Sequence, residues 1–403
     1  RVIFDPAIVD QEGPVTVAWK LTIASTENPL AAEVILVDGF TGKVVFHYPL
    51  AHEAKVRVIS DADSTASLGR VVRNEGDPPC GIRDADLAYD FLGDTYDFYY
   101  RVHNRDSIDN KGMDLAATVR YCNYYCPYPN AFWVGEPWNR MIFGEGYAVD
   151  DVTAHELTHG VTDSESNLIY QGQSGAMNES FSDIWGEFVD LTNGKGTDTA
   201  AVRWLMGEDL PIGAIRSMKD PTLFGDPDRL NSPLYYTGFG DNGGVHYNSG
   251  ILNKLCYLLT DGDTFNGQTV AGMGIEPVAR LFYETQIAPL PMAAGFSDFY
   301  MFLGQATINQ GLDFNQRLNV RAAAEAVEIA PATSEEKIRG FRALPALDRY
   351  GRPVIAITWT NPSSENFRRV ILVRSTAGFP QNPSDGMQLY QGTEEKFLDV
   401  AVV

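Results

Sequence analysis

The five residues His155-Glu156-Leu157-Thr158-His159 have the types and spacing of a metal site. Residues four apart on a helix project from one face, so the two imidazoles can share one ion while Glu156 reaches a water beside it. The pentapeptide alone also occurs on ordinary surface helices, so the reading needs a third ligand. Glu179 supplies a candidate, on a helix whose apolar stripe is Met177, Phe181, Ile184, Trp185, Phe188 and Val189. Two antiparallel helices joined by a loop of this length bring Glu179 to the histidines. The result is a His2Glu zinc set with an open fourth position, the arrangement of a catalytic site. Asp183, one turn further on, is expected to hold a ligand imidazole by its second ring nitrogen, with Asn178 in the same supporting layer.

A third element is Asp241-Asn242-Gly243-Gly244-Val245-His246. The two glycines let the chain fold back, so Asp241 can orient and charge His246. The other histidines, His47, His52 and His103, have no such setting and read as structural or surface residues.

Taken together, the run from Asn130 through His155-Glu156-x-x-His159-Gly160-Val161-Thr162-Asp163, Leu168-Ile169-Tyr170-Gln171, Ser174 to Glu179 and Gly244 to Gly250 resembles the thermolysin family of metalloendopeptidases. The resemblance spans roughly residues 80–329. It implies peptide or protein substrates, with Glu156 taking a proton from water and passing it to the leaving amine. It also implies that Tyr170 and His246 donate to the oxyanion, with Asp241 holding His246. By the same carry-over, Asn130 and the Ala131 backbone bind extended substrate, and Arg216 binds a carbonyl beyond the cut. Val152, Met206 and Ile215 wall an apolar pocket for the residue after the cut, so a bulky aliphatic or aromatic residue is expected there.

The family's calcium ligands are retained only in part. Asp151, Asp190 and Glu208 stand as ligands, but Arg203 and Leu205 occupy positions where acidic residues are expected. A cation does not sit comfortably beside an arginine. The expectation is that Arg203 replaces the calcium charge with an ion pair, against a double site.

The elements around these residues read as an α+β chain, a thermolysin-like zincin with a reduced N-terminal β-rich lobe and a helical C-terminal lobe. Residues 1–55 alternate like strands and resemble the C-terminal part of a PepSY-type propeptide. Residues 56–160 form the N-terminal lobe with the first zinc helix, including the helical face Ala88, Phe91, Leu92, Thr95, Tyr96 and Tyr99 and a loop-rich aromatic stretch through Trp133. Residues 161–330 form the helical lobe. Residues 331–403 read as a linker over Pro331–Lys337 and a fibronectin- or immunoglobulin-like β domain, short enough to be truncated.

Composition fits an exported enzyme. The net charge of −22 repels nucleic acid and anionic membranes, and no apolar run is long enough to span a bilayer. A secreted, extracellular monomer made as a zymogen with its own propeptide as partner is the expectation. No signal peptide is visible at Arg1, so an exported chain is expected to carry one ahead of it. Of four cysteines, Cys122 and Cys126 suit a local disulfide, while Cys256 lies in an apolar helical stripe as an inert thiol. Two other classes compete. A catalytically silent tethering module should have lost ligands or Glu156, and an exopeptidase needs a charged subsite for a free terminus.

Overall fold

The structure is a computed structural model that describes residues 2–4, 6, 13–24, 32–49, 55–197, 199–330, 338–347, 350–361, 369–375 and 386–400. His52, the Pro331–Lys337 linker and part of residues 1–55 fall outside those residues. Contacts divide the chain into two units, residues 1–330 and 331–403.

The first unit begins with an antiparallel sheet of β1 (Val2–Phe4), β2 (Thr16–Ala24), β3 (Ala32–Asp38) and β4 (Val44–Pro49), in that order. Its small core is Phe4, Ala18, Val34 and Leu36. The alternating row Val17, Trp19, Leu21 and Ile23 of β2 lies on the opposite, exposed side. Pleating makes this an either-or choice, since neighbouring residues of a strand face opposite ways.

A second sheet joins β5 (Arg57–Asp61), β6 (Arg70–Asn74), β7 (Leu115–Val119), β8 (Ala131–Val134) and β9 (Arg140–Phe143) in the order β6-β5-β7-β9-β8. β5, β7 and β9 run parallel, while β6 and β8 are antiparallel edges. The stretch that reads as loop in the sequence therefore contributes three strands. β7 is almost wholly buried, so it lacks the alternation by which a strand is recognised. Cys122 and Cys126, between β7 and β8, are joined as expected, with Cα atoms 5.2 Å apart.

The helix α1 (Arg83–His103) packs on this sheet and against α2 (Asp150–Ser164). α3 (Gly172–Asn193) is the central helix, and every residue from Ser174 to Asp190 is buried. Burying Trp185, Phe181 and Phe188 contributes roughly 1.5–3 kcal/mol each. The same envelopment places Glu179 and Asp183 in the interior, each 0% exposed. β10 (Leu205–Met206) and β11 (Arg216–Ser217) form a short ladder, followed by α4 (Asp241–Asn248) and α5 (Gly250–Asp261). A hairpin of β12 (Gly262–Phe265) and β13 (Gln268–Ala271) then leads to α6 (Ile275–Gln286), α7 (Phe296–Asn309) and α8 (Phe314–Ala326). Cys256 is fully buried in α5.

The second unit contains a three-stranded sheet of β14 (Arg339–Leu347), β15 (Pro353–Thr360) and β18 (Lys396–Asp399). A pair, β16 (Val370–Arg374) and β17 (Met387–Gly392), completes it. Ile357, Trp359 and Leu372 form a core between the two sheets.

Candidate active site

α2 and α3 lie side by side and bring three ligating side chains together. The Nε2 atoms of His155 and His159 are 3.0 Å apart, and Glu179 places Oε2 3.5 Å from the first and Oε1 3.5 Å from the second. One ligand atom from each residue falls within 4.8 Å of the others. Among the described residues, this is the one cluster of such groups that meets that spacing. Oε2 of Glu179 is buried without a hydrogen-bond partner. Two imidazole nitrogens and an orphaned carboxylate oxygen converging on one point fit a zinc ion.

The supporting contacts fix both rings. Nδ1 of His155 meets Asp183 Oδ1 at 2.9 Å, and Nδ1 of His159 meets Asn178 Oδ1 at 2.7 Å. Each Nε2 is thereby turned toward the centre. Arg216 grips Asp183 with a fork, at 2.8 Å from Nε and 2.6 Å from Nη2. Asn253 of α5 also donates to Asp183 at 2.8 Å and accepts from Ser180 at 2.7 Å. Asn253 was not a sequence candidate, although an asparagine inside the apolar stripe of α5 is a signal that could have found it. Burial opposes the charge on Asp183, but Arg216 and His155 outweigh it and hold the carboxyl well below its usual range. Asp183→Ala leaves Arg216 buried with no carboxylate. We expect it to cost about 3–5 kcal/mol, read as a lower midpoint in urea unfolding; an unchanged midpoint contradicts this account.

Glu156 is 5% exposed beside the two histidines. Burial pushes its pKa up against the pull of His155, His159 and a backbone hydrogen bond from Trp133. His246 comes from α4, where Asn242, Gly243 and Gly244 all have positive φ. At Gly244 a Cβ would lie 2.6 Å from the Tyr236 ring, so the fold-back needs glycine there. Asp241 accepts from the His246 backbone N–H at 2.9 Å and meets Nδ1 at 2.6 Å. Nε2 of His246 lies 3.2 Å from the Tyr170 hydroxyl, which donates to Glu179.

These groups line a cleft of about 510 Å³. Its walls include Asn130, Ala131, Val152, Met206, Ile215 and Arg216, so the structure brings the expected substrate-binding residues together. Ala131 lies on the edge strand β8. At the far end of β8, the Trp133 indole donates to Asp163 at 2.8 Å, a contact that spacing along the chain does not reveal.

The expected calcium ligands lie apart from the cleft. Asp151 and Asp190 are buried and Glu208 is half-buried, joined by buried Asp150 and Glu187. Arg203 pulls the pKa of Glu187 down against its burial. It forks onto Asp261 at 2.8 and 3.0 Å, alongside the Trp204 indole, which donates to the same carboxylate at 2.7 Å. The ion pair expected of Arg203 thus falls on Asp261. Second carboxylate oxygens of Glu187 and Glu208 are buried without partners. His103, read as structural or surface, is half-buried and stacked on Tyr283 at 4.1 Å, with its pKa pushed to about 3 by desolvation and by Arg280, Arg105 and Arg101.

Comparison with known proteins matches two family models, the thermolysin metallopeptidase catalytic domain over residues 82–163 and its alpha-helical domain over residues 166–329. A zinc metalloproteinase of Renibacterium salmoninarum is 40% identical over 68% of this chain and 53% of that protein. Bacillolysin of Bacillus cereus is 42% identical over 52% of this chain and 37% of that protein. The structure of the precursor of protealysin, a metalloproteinase from Serratia proteamaculans, is 35% identical with a TM-score of 0.58, covering 69% of this chain and 88% of that one. The chain belongs to the thermolysin family of metallopeptidases, with that family's α+β fold. It spans about half the length, or less, of the curated relatives it matches.

Proposed function

We propose that this protein is a secreted, monomeric zinc endopeptidase that cuts internal peptide bonds before a hydrophobic residue. The observation that carries it is the convergence of His155, His159 and Glu179 beside buried Glu156 in an open cleft. Zinc held by those three residues supplies Lewis-acid chemistry, polarising a carbonyl and acidifying water. Glu156 takes the proton from the attacking water and returns it to the leaving amine. Tyr170 and His246 donate to the oxygen on which charge develops, and Asp241 keeps the His246 ring turned to the cleft. An extended substrate lies along Asn130 and the β8 edge, with Arg216 beyond the cut and Val152, Met206 and Ile215 around the following side chain. The Cys122–Cys126 disulfide supports an extracellular setting.

Residues 1–55 act as the C-terminal part of a propeptide whose partner is the catalytic unit, so the chain is a zymogen. Residues 56–160 and 161–330 are the two lobes of that unit, and 331–403 is a linker with a separate β domain. The reading is tested with an internally quenched peptide carrying Leu or Phe after the scissile bond. Cleavage by processed, zinc-loaded protein supports it; none on varied peptides refutes it.

The acidic cluster takes up a divalent cation such as calcium, through Asp151, Asp190, Glu208 and Glu187. Burial and then mutual repulsion push the folded-state pKa of Asp151 to about 7, of Glu208 to about 8 and of Asp190 to about 11. The unfolded values lie near 4. The folded state therefore keeps protons that the unfolded state has lost, and stability falls as pH rises from about 4 through about 11, with Asp151 and Glu208 contributing up to about 8 and Asp190 beyond. Calcium-free protein is expected to show this slope in its melting temperature and calcium to flatten it. Identical profiles with and without calcium rule out the cation.

A further inference from the structure

One polar atom shut off just behind the cleft wall has no part in the proposed reaction. Tyr147, in the loop between β9 and α2, is 6% exposed and lines the cleft with Val152, Met206, Leu210 and Ile215. Its hydroxyl is closed to water and has no hydrogen-bond partner. Burial raises its pKa, so it stays a neutral phenol able to donate and to accept. The four lining side chains named with it are hydrocarbon or thioether and cannot pair with a hydroxyl. Buried hydroxyls are ordinarily hydrogen-bonded, so an orphan on the wall of a ligand pocket calls for a partner.

The loop carrying Tyr147 presses on the turn that borders the same pocket. A Cβ on Gly146 would lie 2.9 Å from Pro211, and Ile212 of that turn is 65% exposed and lines the cleft. Gly207 and Gly213 bracket the turn, both at positive φ, and its two backbone bonds run from Leu210 to Gly207 and from Gly213 to Leu210. A turn bounded by two glycines and held by its own local bonds can yield to an entering side chain.

We propose that Tyr147 determines specificity: its hydroxyl meets the tip of the substrate side chain that follows the cut. It favours an apolar body with a neutral hydrogen-bonding end, tyrosine in the first instance, over the matching hydrocarbon. The inference rests on the endopeptidase reading and on Val152, Met206 and Ile215 forming the pocket after the cut. The selection is reciprocal. A tyrosine that fills the pocket loses its water, and the Tyr147 hydroxyl replaces that lost partner while gaining its own.

The test uses two quenched peptides that differ only in Phe or Tyr after the scissile bond, with kcat/KM measured for wild type and Tyr147→Phe. Wild type should favour the Tyr peptide, and the Tyr-to-Phe ratio should fall by about tenfold in the variant, the worth of one neutral hydrogen bond with its desolvation. The ratio is internal to each enzyme, so a lower overall rate in the variant does not disturb it. Equal ratios overturn the proposal and leave the hydroxyl to a buried water. If the variant does not fold, the wild type decides alone, and a preference for Phe overturns the proposal. Wild type that cuts neither peptide, nor the Leu peptide, refutes the endopeptidase reading and the proposal with it.

Discussion

Glu156→Gln is expected to lower kcat/KM for peptide cleavage by about 10²- to 10⁴-fold, the usual worth of a positioned general acid–base group. Glutamine keeps the size and shape of the side chain but cannot accept a proton. Glu156 is 5% exposed and sits on the helix that supplies both histidines, so the substitution removes chemistry with little change in packing. Bound zinc, measured by atomic absorption, should be unchanged, because Glu156 is not one of the converging ligands. A variant that cleaves at the wild-type rate would remove Glu156 from the mechanism. A variant that loses zinc as well would show that its carboxylate helps to hold the metal.

Stripping zinc with a chelator should abolish cleavage and lower the melting temperature, and added zinc should restore both. With free zinc about a thousandfold above its dissociation constant, the bound metal stabilises the fold by about 4 kcal/mol. The site gives the reason. Without a cation, two imidazole nitrogens face each other at 3.0 Å and Glu179 keeps a buried oxygen with no partner. Burial opposes the Glu179 charge, while His159, His246, His155 and Arg216 bring its pKa down to about 2. Glu179→Gln removes that negative charge and should release zinc, leaving a protein that zinc no longer stabilises. Full activity in the presence of chelator, with zinc shown to be absent, defeats the metalloenzyme reading.

How much of this was legible beforehand depended on the range of the contact concerned. His155 and His159 are four residues apart on one helix, and Asp241 and His246 are joined through a glycine fold-back only five residues long. Such relations follow from local geometry. Glu179 and Asp183 needed one further assumption, that two consecutive helices pack against each other. The strands β7 and β9 were missed because short, buried strands carry no alternation, β8 because it is only four residues long, and the exposed side of β2 was undetermined because alternation marks two faces without saying which is covered.

Residue order and spacing by themselves determined the ligand set, the neighbouring glutamate, the histidine that faces it and the helix-dominated lobe that carries them. Tertiary structure alone decided which partner each charged group took. Arg203 forked onto Asp261, Asn253 reached Asp183 from another helix, and Trp133 found Asp163 thirty residues along the chain. It also buried the Tyr147 hydroxyl beside the pocket without a partner from the protein. Local periodicity is set by bonds along the chain, whereas pairing and burial are set by which distant segments the packed core brings within a few ångströms.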